Sequence, residues 1–241
     1  MITKSIPNMF TIGNLALGMI ALILALNGKY SMAAIMIIIA MLLDGLDGRV
    51  ARALHVQSEF GKELDSLSDV ISFGAAPALL MYMVTLQSMP ESIAWTATVI
   101  FPICGAIRLA RFNVRAGTTG YFIGLPIPAA GGVLATLSLF HNEISGTYMI
   151  IIMLLLSYLM VSRVKYPNFK KVGLPKKAVL GAPIVIVIAV AIAVIFPEQI
   201  SKLIFIPLVI YAIYGVKQNI ETALRRRRHK KKEEDPLHLD N

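Results

Sequence analysis

Residues 31–52 read SMAAIMIIIAMLLDGLDGRVAR, an apolar run that ends in two aspartates and two arginines. An α-helix of about 20 mostly apolar residues is long enough to cross the hydrocarbon core of a bilayer. Acidic side chains are costly inside a membrane and usually serve a function there. Because Asp44 and Asp47 lie at the end of the run, the stretch predicts a membrane-spanning helix with a polar site at one end.

The composition of the whole chain also indicates a membrane protein. Of 241 residues, 56% are hydrophobic and 15% are charged, and the mean hydropathy is +0.71. Since an average soluble domain has about 25% charged residues, the composition argues against a soluble enzyme, a disordered chain, a coiled coil and a nucleic-acid-binding module. The single cysteine, Cys104, excludes an intrachain disulfide and a cysteine-based metal cluster.

Apolar runs along the chain predict an all-α polytopic membrane protein with about eight transmembrane helices. Positive residues collect in cytoplasmic loops. If both termini are cytoplasmic, eight crossings place every Lys and Arg except Lys29 and Lys202 on the inner side. An odd number of crossings would instead scatter the positive clusters over both faces. No convincing cleavage site follows Leu26, so we expect the first run to be retained. The runs lie near residues 9–26, 31–51, 64–86, 92–114, 127–142, 147–164, 178–196 and 200–216.

The charge pattern divides the chain into a membrane domain, residues 1–216, and a basic tail, residues 217–241. We expect the tail to be cytoplasmic and disordered, because it carries arginines at 225–228 and lysines at 230–232. Attraction to anionic lipid head groups and a purely topogenic, solvated role are both compatible with this composition.

Outside the tail, aspartate occurs at only four positions, all at the predicted inner ends of the second and third helices. At about 100° per residue, each pair of aspartates lies on one stripe of its helix with small residues. Two antiparallel helices with a short link can turn these stripes toward each other, which would bring four carboxylates together. The stripes are Asp44, Asp47, Gly48 and Ala51 on the first helix, and Gly61, Asp65, Ser68, Asp69 and Ser72 on the second.

Four neighbouring carboxylates repel one another unless protons or cations neutralise them. Because the ligands are oxygens only, the expected cation is a hard divalent ion, Mg²⁺ or Mn²⁺ and also Ca²⁺. The alternative interpretation, helix caps and ion pairs with the nearby arginines and lysine, explains one aspartate better than four at fixed intervals. The sequence therefore predicts a divalent-metal site at the inner membrane surface.

The spacing of these residues resembles the signature of the CDP-alcohol phosphatidyltransferase family. The family pattern D-x2-D-G-x2-A-R-x8-G-x3-D-x3-D is complete in this chain. Motifs at 6–8, 13–14, 57–67, 108–114 and 124–130 are similar to the branch of the family whose acceptor is L-serine. The eight signature residues are Asp44, Asp47, Gly48, Ala51, Arg52, Gly61, Asp65 and Asp69.

The resemblance implies a reaction in which the phosphatidyl group of CDP-diacylglycerol passes to the hydroxyl of L-serine and CMP is released. It implies two divalent cations per site, with Asp44 and Asp65 contacting both, Asp47 completing one and Asp69 the other. Asp69 is also implied as the catalytic general base on the serine hydroxyl. A homodimer in a prokaryotic cell membrane, with the active site facing the cytoplasm, completes the expectation.

Further residues are candidates for binding the two substrates. Gly48, Arg52 and Ser58 match family positions that hold the CDP-lipid head group, and Asn14 on the first helix could reach the cytosine. Serine carries a carboxylate, so its pocket needs a cation. We expect that pocket to be built from Arg108, Arg111 and Asn113, although these residues could equally be interface anchors.

Two other functions remain open at this point. A sister transferase with glycerol phosphate or an inositol alcohol as acceptor would use the same eight signature residues. A divalent-cation transporter would need carboxylates near the middle of the membrane and broken helices there, whereas these aspartates lie at one edge beside arginines.

Overall fold

Among the described residues of the computed structural model, four helices are long and apolar enough to cross a membrane: Pro7–Leu26, Tyr30–Gly48, Glu59–Val84 and Glu91–Val114. The chain is therefore an integral membrane protein, as predicted. The seventh predicted run, the eighth apart from Ile210, and the basic tail apart from Lys217 lie outside the described residues, so the count of eight stays a prediction. The structure describes residues 2–53, 56, 58–114 and 121–167, together with Ile210 and Lys217.

Seven α-helices form the described part of the chain. A π-helical turn, Val70–Ala75, joins α3 to α4 without a break, and short 3-10 turns follow α4 and α6 at Leu86–Ser88 and Ser138–Phe140. The helices are α1 Ile2–Leu26, α2 Tyr30–Ala53, α3 Glu59–Asp69, α4 Ala76–Val84, α5 Glu91–Val114, α6 Ile127–Leu137 and α7 Gly146–Val161.

The all-α prediction is confirmed for the described residues, and two short strands add to the helices. Strand β1, Tyr121–Ile123, pairs antiparallel with β2, Lys165–Pro167, and Phe122 lies opposite Tyr166. Tyr166 is fully buried. Strands of three residues are too short to produce an alternating pattern in the sequence, so the ribbon was missed. It ties the segment before α6 to the segment after α7.

The π-helical turn is in close contact with helices on two sides. A Cβ at Gly18 of α1 would lie 2.8 Å from Cα of Ser72, and a Cβ at Gly131 of α6 would lie 2.9 Å from Cα of Phe73. Real side chains do not approach a backbone so closely, so both positions require glycine. Because Asp69 comes directly before the turn, these contacts fix the helix that carries it.

Helix α1 packs along α2 and also contacts α3 and the π-helical turn. The hydroxyls of Ser68 and Ser72 donate to the carbonyl oxygens of Thr11 and Asn14, at 3.3 and 2.9 Å. The backbones of α2 and α3 make little contact with each other. The short link suggests that α2 and α3 pair directly. Their direct pairing is incomplete, because α1 lies beside both helices.

The apolar surface of the bundle matches its environment. Large side chains such as Ile23, Trp95 and Leu155, on α1, α5 and α7, are about half exposed in the described chain, and lipid chains are their natural neighbours. The core between the helices is filled mainly by small and aliphatic residues, with Phe73 and Phe101 fully buried.

Candidate active site

Three of the four aspartates meet between α2 and α3. One carboxylate oxygen from each of Asp44, Asp47 and Asp65 lies within 4.8 Å of the others. Asp47 is buried, and Asp44 and Asp65 are partly buried. The predicted convergence of the aspartates from the two helices is confirmed for these three residues. Such a separation lets a single divalent cation contact several carboxylates at once.

The fourth aspartate, Asp69, lies one turn beyond Asp65 and is only 5% exposed. It is close enough to Asp44, Asp47, Asp65 and Arg108 to interact with them electrostatically. Its Oδ1 atom accepts no hydrogen bond within the described part of the chain. Because a buried polar atom normally has a partner, this oxygen indicates that the site is completed by a group outside the described residues.

A divalent cation fits this donor set. The three converging ligands are carboxylate oxygens, and within the described residues neither His nor Cys belongs to the group. Oxygen ligands select hard cations such as Mg²⁺, Mn²⁺ and Ca²⁺. The buried oxygen of Asp69 adds a further donor, and bound cations would relieve the repulsion among the four negative charges.

Helix α1 contributes a residue that the sequence reasoning missed. The hydroxyl of Thr11 donates a hydrogen bond of 3.0 Å to Oδ2 of Asp47. Thr11 belongs to a series with Asn8 and Asn14, spaced three residues apart in the otherwise apolar span Pro7–Leu26. Polar residues at this spacing share one helix face, and this pattern could have indicated that α1 faces the site.

A cavity of about 610 Å³ opens beside the carboxylates, within the range of pockets that bind small molecules. Gly48 and Ser58, two of the residues predicted to hold the CDP-lipid head group, line this cavity. Ser58 also caps α3, since its hydroxyl accepts a 3.0 Å hydrogen bond from the amide of Gly61. The other lining residues are Pro7, Asn8, Thr11, Asp47, Ala51, Val56, Glu59, Gly61, Lys62, Asp65 and Phe112.

The other two candidates for CDP-lipid binding differ in position. Arg52 lies in the last turn of α2, and its side chain is outside the described residues. Asn14 is fully buried on α1 and does not line the cavity. Neither side-chain polar atom of Asn14 forms a hydrogen bond to the described residues, which is unusual for a buried amide.

The three candidates for the serine pocket lie on α5, but their side chains contact different neighbours. The side chain of Arg108 is buried, with its guanidinium 5.7 Å from the centre of the Phe112 ring, and its positive charge interacts electrostatically with Asp69. Arg111 is exposed and donates a 2.9 Å hydrogen bond to the carbonyl of Val161 at the end of α7.

Asn113 contacts α3 instead. Its side-chain amide donates to the hydroxyl of Ser66 at 2.9 Å and approaches both carboxylate oxygens of Glu63 at 3.4 Å. Of the three candidates, Arg108 is therefore the one that interacts with an aspartate of the site. Arg111 and Asn113 connect α5 to neighbouring helices.

The chain belongs to the CDP-alcohol phosphatidyltransferase family, whose model matches residues 4–214. It is 38% identical over 219 residues to the CDP-diacylglycerol–serine O-phosphatidyltransferase of Helicobacter pylori, covering 87% of this chain and 89% of that protein. The enzyme of the same name from Bacillus subtilis is 42% identical over 169 residues, 69% of this chain and 92% of the relative.

An archaeal relative carries a different name. The archaetidylserine synthase of Methanothermobacter thermautotrophicus is 37% identical over 174 residues, which cover 70% of this chain and 72% of that protein. The family resemblance inferred from the four aspartates and their spacing is thus confirmed.

Proposed function

We propose that this protein transfers the phosphatidyl group of CDP-diacylglycerol to the hydroxyl of L-serine, giving phosphatidylserine and CMP. The observation that carries the proposal is the group of three carboxylates within 4.8 Å, next to a cavity at the ends of membrane helices. The acceptor follows from the relatives, since the enzymes from Helicobacter pylori and Bacillus subtilis are both named for serine.

The lipid substrate is proposed to bind with its acyl chains in the bilayer and its pyrophosphate at the carboxylates. Gly48 lines the cavity and has no side chain to obstruct a head group, and Ser58 lies across from it at the start of α3. Arg52 is one turn beyond Gly48, and a guanidinium binds phosphate oxygens through paired donors. Asn14, with two buried polar atoms lacking partners in the described chain, is assigned to the cytosine.

The four aspartates are proposed to hold two divalent cations, Mg²⁺ or Mn²⁺ and less favourably Ca²⁺. When bound, such cations neutralise the pyrophosphate and stabilise the negative charge on the departing CMP. Asp44 and Asp65 would contact both cations, Asp47 one of them and Asp69 the other. Support comes from the all-oxygen donor set and from the buried Oδ1 of Asp69.

Asp69 is proposed to be the general base as well. The serine oxygen forms a bond to the lipid-side phosphorus, the bond between that phosphorus and the CMP oxygen breaks, and the serine proton passes to the carboxylate of Asp69. A carboxylate is a weak base, so its contribution lies chiefly in its position. Burial of Asp69 beside the other three aspartates supplies that position.

The serine carboxylate is proposed to bind Arg108, because this buried cation interacts electrostatically with Asp69. A charge-assisted pair at this point would direct the serine hydroxyl toward the base. Arg111 and Asn113 are kept as further members of the pocket, since they follow Arg108 on the same helix end.

In the membrane, we propose about eight helices with both termini and the active site on the cytoplasmic side of a prokaryotic cell membrane. Lys29, in the exposed link between α1 and α2, would then face outward. A cysteine at position 29 in a Cys104→Ala background should react with an impermeant reagent from outside; reaction only after lysis would contradict this orientation.

A homodimer is also proposed. Light scattering in detergent tests this proposal, since a monomeric mass would contradict it.

The function is tested by identifying the lipid formed. Purified protein is given CDP-diacylglycerol and Mn²⁺ with L-serine, glycerol 3-phosphate or inositol in separate reactions, and the products are identified by mass spectrometry. We expect phosphatidylserine with serine and no new lipid with the other alcohols. Formation of a phosphatidylglycerol phosphate or phosphatidylinositol instead would assign the chain to a sister transferase, which uses the same signature residues.

A further inference from the structure

Thr11 is a buried polar residue in an apolar helix, only 3% exposed. Its hydroxyl oxygen lies 3.0 Å from Oδ2 of Asp47 and 3.2 Å from the carbonyl oxygen of Pro7. A hydroxyl has one proton to donate. The carboxylate is the nearer acceptor and carries a charge, so the stronger bond is the one to Asp47.

This bond is not needed simply to bury the hydroxyl. Thr136 on α6 is also fully buried, and its hydroxyl is satisfied within its own helix, at 2.8 Å from the carbonyl of Gly132 and 2.9 Å from that of Val133. Pro7 offers Thr11 the same kind of local acceptor. The contact with Asp47, 36 residues away, therefore has another role.

Thr11 also touches the second helix of the site. Its carbonyl oxygen accepts a 3.3 Å hydrogen bond from the hydroxyl of Ser68, the residue directly before Asp69. One residue of α1 is thus bonded to α2 through its side chain and to α3 through its backbone. Since α2 and α3 have little backbone contact of their own, Thr11 connects the two helices that carry the aspartates.

We infer that Thr11 is a positioning residue for the metal site, which fixes the orientation of the Asp47 carboxylate toward a divalent cation. A carboxylate can accept about four hydrogen bonds or metal contacts, so the bond from Thr11 is compatible with metal binding by Asp47 while it limits the rotation of the carboxylate. Outer partners of this kind orient metal ligands, and their loss typically costs about 10- to 100-fold in metal affinity. The inference rests on the metal site of the proposed function.

Metal affinity can be measured without turnover. The full chain is purified in detergent, treated with EDTA, dialysed and titrated with Mn²⁺, and free Mn²⁺ is read from its electron paramagnetic resonance signal in the absence of both substrates. Four proteins are compared: wild type, Thr11→Val, which removes the hydroxyl at constant shape, Thr11→Ser, which keeps it, and Thr136→Val, the matched control for a buried helical threonine.

We expect Thr11→Val to weaken Mn²⁺ binding by about 10- to 100-fold, with Thr11→Ser and Thr136→Val close to wild type. The recovery by serine separates loss of the hydroxyl from a general loss of structure. Wild-type affinity in Thr11→Val would overturn the inference, and so would a raised KM for CDP-diacylglycerol with unchanged Mn²⁺ binding, because Thr11 would then be a substrate contact.

The same preparations separate this inference from the proposed function. If Thr11→Val binds Mn²⁺ about 10- to 100-fold more weakly than the wild type, but no phosphatidylserine forms, the proposed acceptor is wrong and the role of Thr11 is supported. If serine transfer occurs and Thr11→Val binds Mn²⁺ normally, only the inference fails. A wild-type protein that binds no Mn²⁺ overturns both the metal site and the inference.

Discussion

The side-chain amide of Asn113 on α5 donates a 2.9 Å hydrogen bond to the hydroxyl of Ser66 on α3. Ser66 donates to the carbonyl of Lys62 at 3.1 Å, and the ammonium of Lys62 donates to the carbonyl of Asn113 at 3.3 Å. These three bonds close a ring between the two helices. The ring holds the end of α5, which carries Arg108, against the helix that carries Asp69.

Removing Asn113 tests whether it only joins the helices or also binds serine. Asn113→Ala and Ser66→Ala both delete the 2.9 Å bond, which is worth about 1 kcal/mol, so both should lower the unfolding temperature slightly. We expect Asn113→Ala alone to raise the KM for serine as well. Steady-state kinetics at varied serine concentration decide the point, since equal serine KM values in the two variants would limit Asn113 to a structural role.

Asp69→Asn should separate chemistry from lipid binding. The amide keeps the size of the buried side chain but cannot take the proton from serine, and general bases contribute about 100- to 10,000-fold to rates. We expect a loss of kcat of this order with CDP-diacylglycerol binding largely retained. Asp44→Asn is the matched comparison, because its proposed contact with both cations should make lipid binding fall too. Near-normal turnover in Asp69→Asn would remove Asp69 as the base.

Arg108→Ala should impair the use of serine more than the use of the lipid. A hydrogen bond to a charged group is worth about 1.5–3 kcal/mol, so we expect the serine KM to rise about 10- to 100-fold with little change in the KM for CDP-diacylglycerol. Arg111→Ala, which removes an exposed bond to Val161, should have the smaller effect. An unchanged dependence on serine concentration in Arg108→Ala would exclude that residue from the pocket.

The sequence was informative where the membrane itself determines structure. The predicted runs 31–51 and 92–114 match α2, Tyr30–Ala53, and α5, Glu91–Val114, within two residues at each end. Hydropathy locates such helices because lipid solvates their outer faces. The four aspartates were equally visible, since charge is rare in these segments and their spacing is regular.

Polar helix turns and contacts between helices were harder to predict. The third run was placed at 64–86, but α3 starts at Glu59, because Ser58 caps a polar first turn that hydropathy does not detect. The contact of α1 with the site depends on Thr11 and Ser68, which are 57 residues apart. The series Asn8, Thr11 and Asn14 marks one polar face of α1, but one sequence does not show which helices that face contacts, so the position of α1 beside both aspartate helices was not predicted.

Because α6 packs closely on the π-helical turn, we expect any residue larger than glycine at position 131 to destabilise the protein. A Cβ at this position would lie 2.9 Å from Cα of Phe73, and overpacking of this kind costs about 1–3 kcal/mol. We expect Gly131→Ala to lower the unfolding temperature in detergent by several degrees. Gly45→Ala is the control, since nothing lies within 4 Å of its Cβ position and alanine favours helices. Equal unfolding temperatures in the two variants would contradict the packing.

The most direct test of the proposed chemistry measures the serine-dependent release of CMP from CDP-diacylglycerol. The protein is first treated with EDTA and then resupplied with Mn²⁺. The carboxylates of Asp44, Asp47 and Asp65 lie within 4.8 Å of one another, a geometry that repulsion disfavours without cations. We predict no CMP release after EDTA and recovery on addition of Mn²⁺. CMP release at the untreated rate in the presence of EDTA would contradict a metal-dependent transferase.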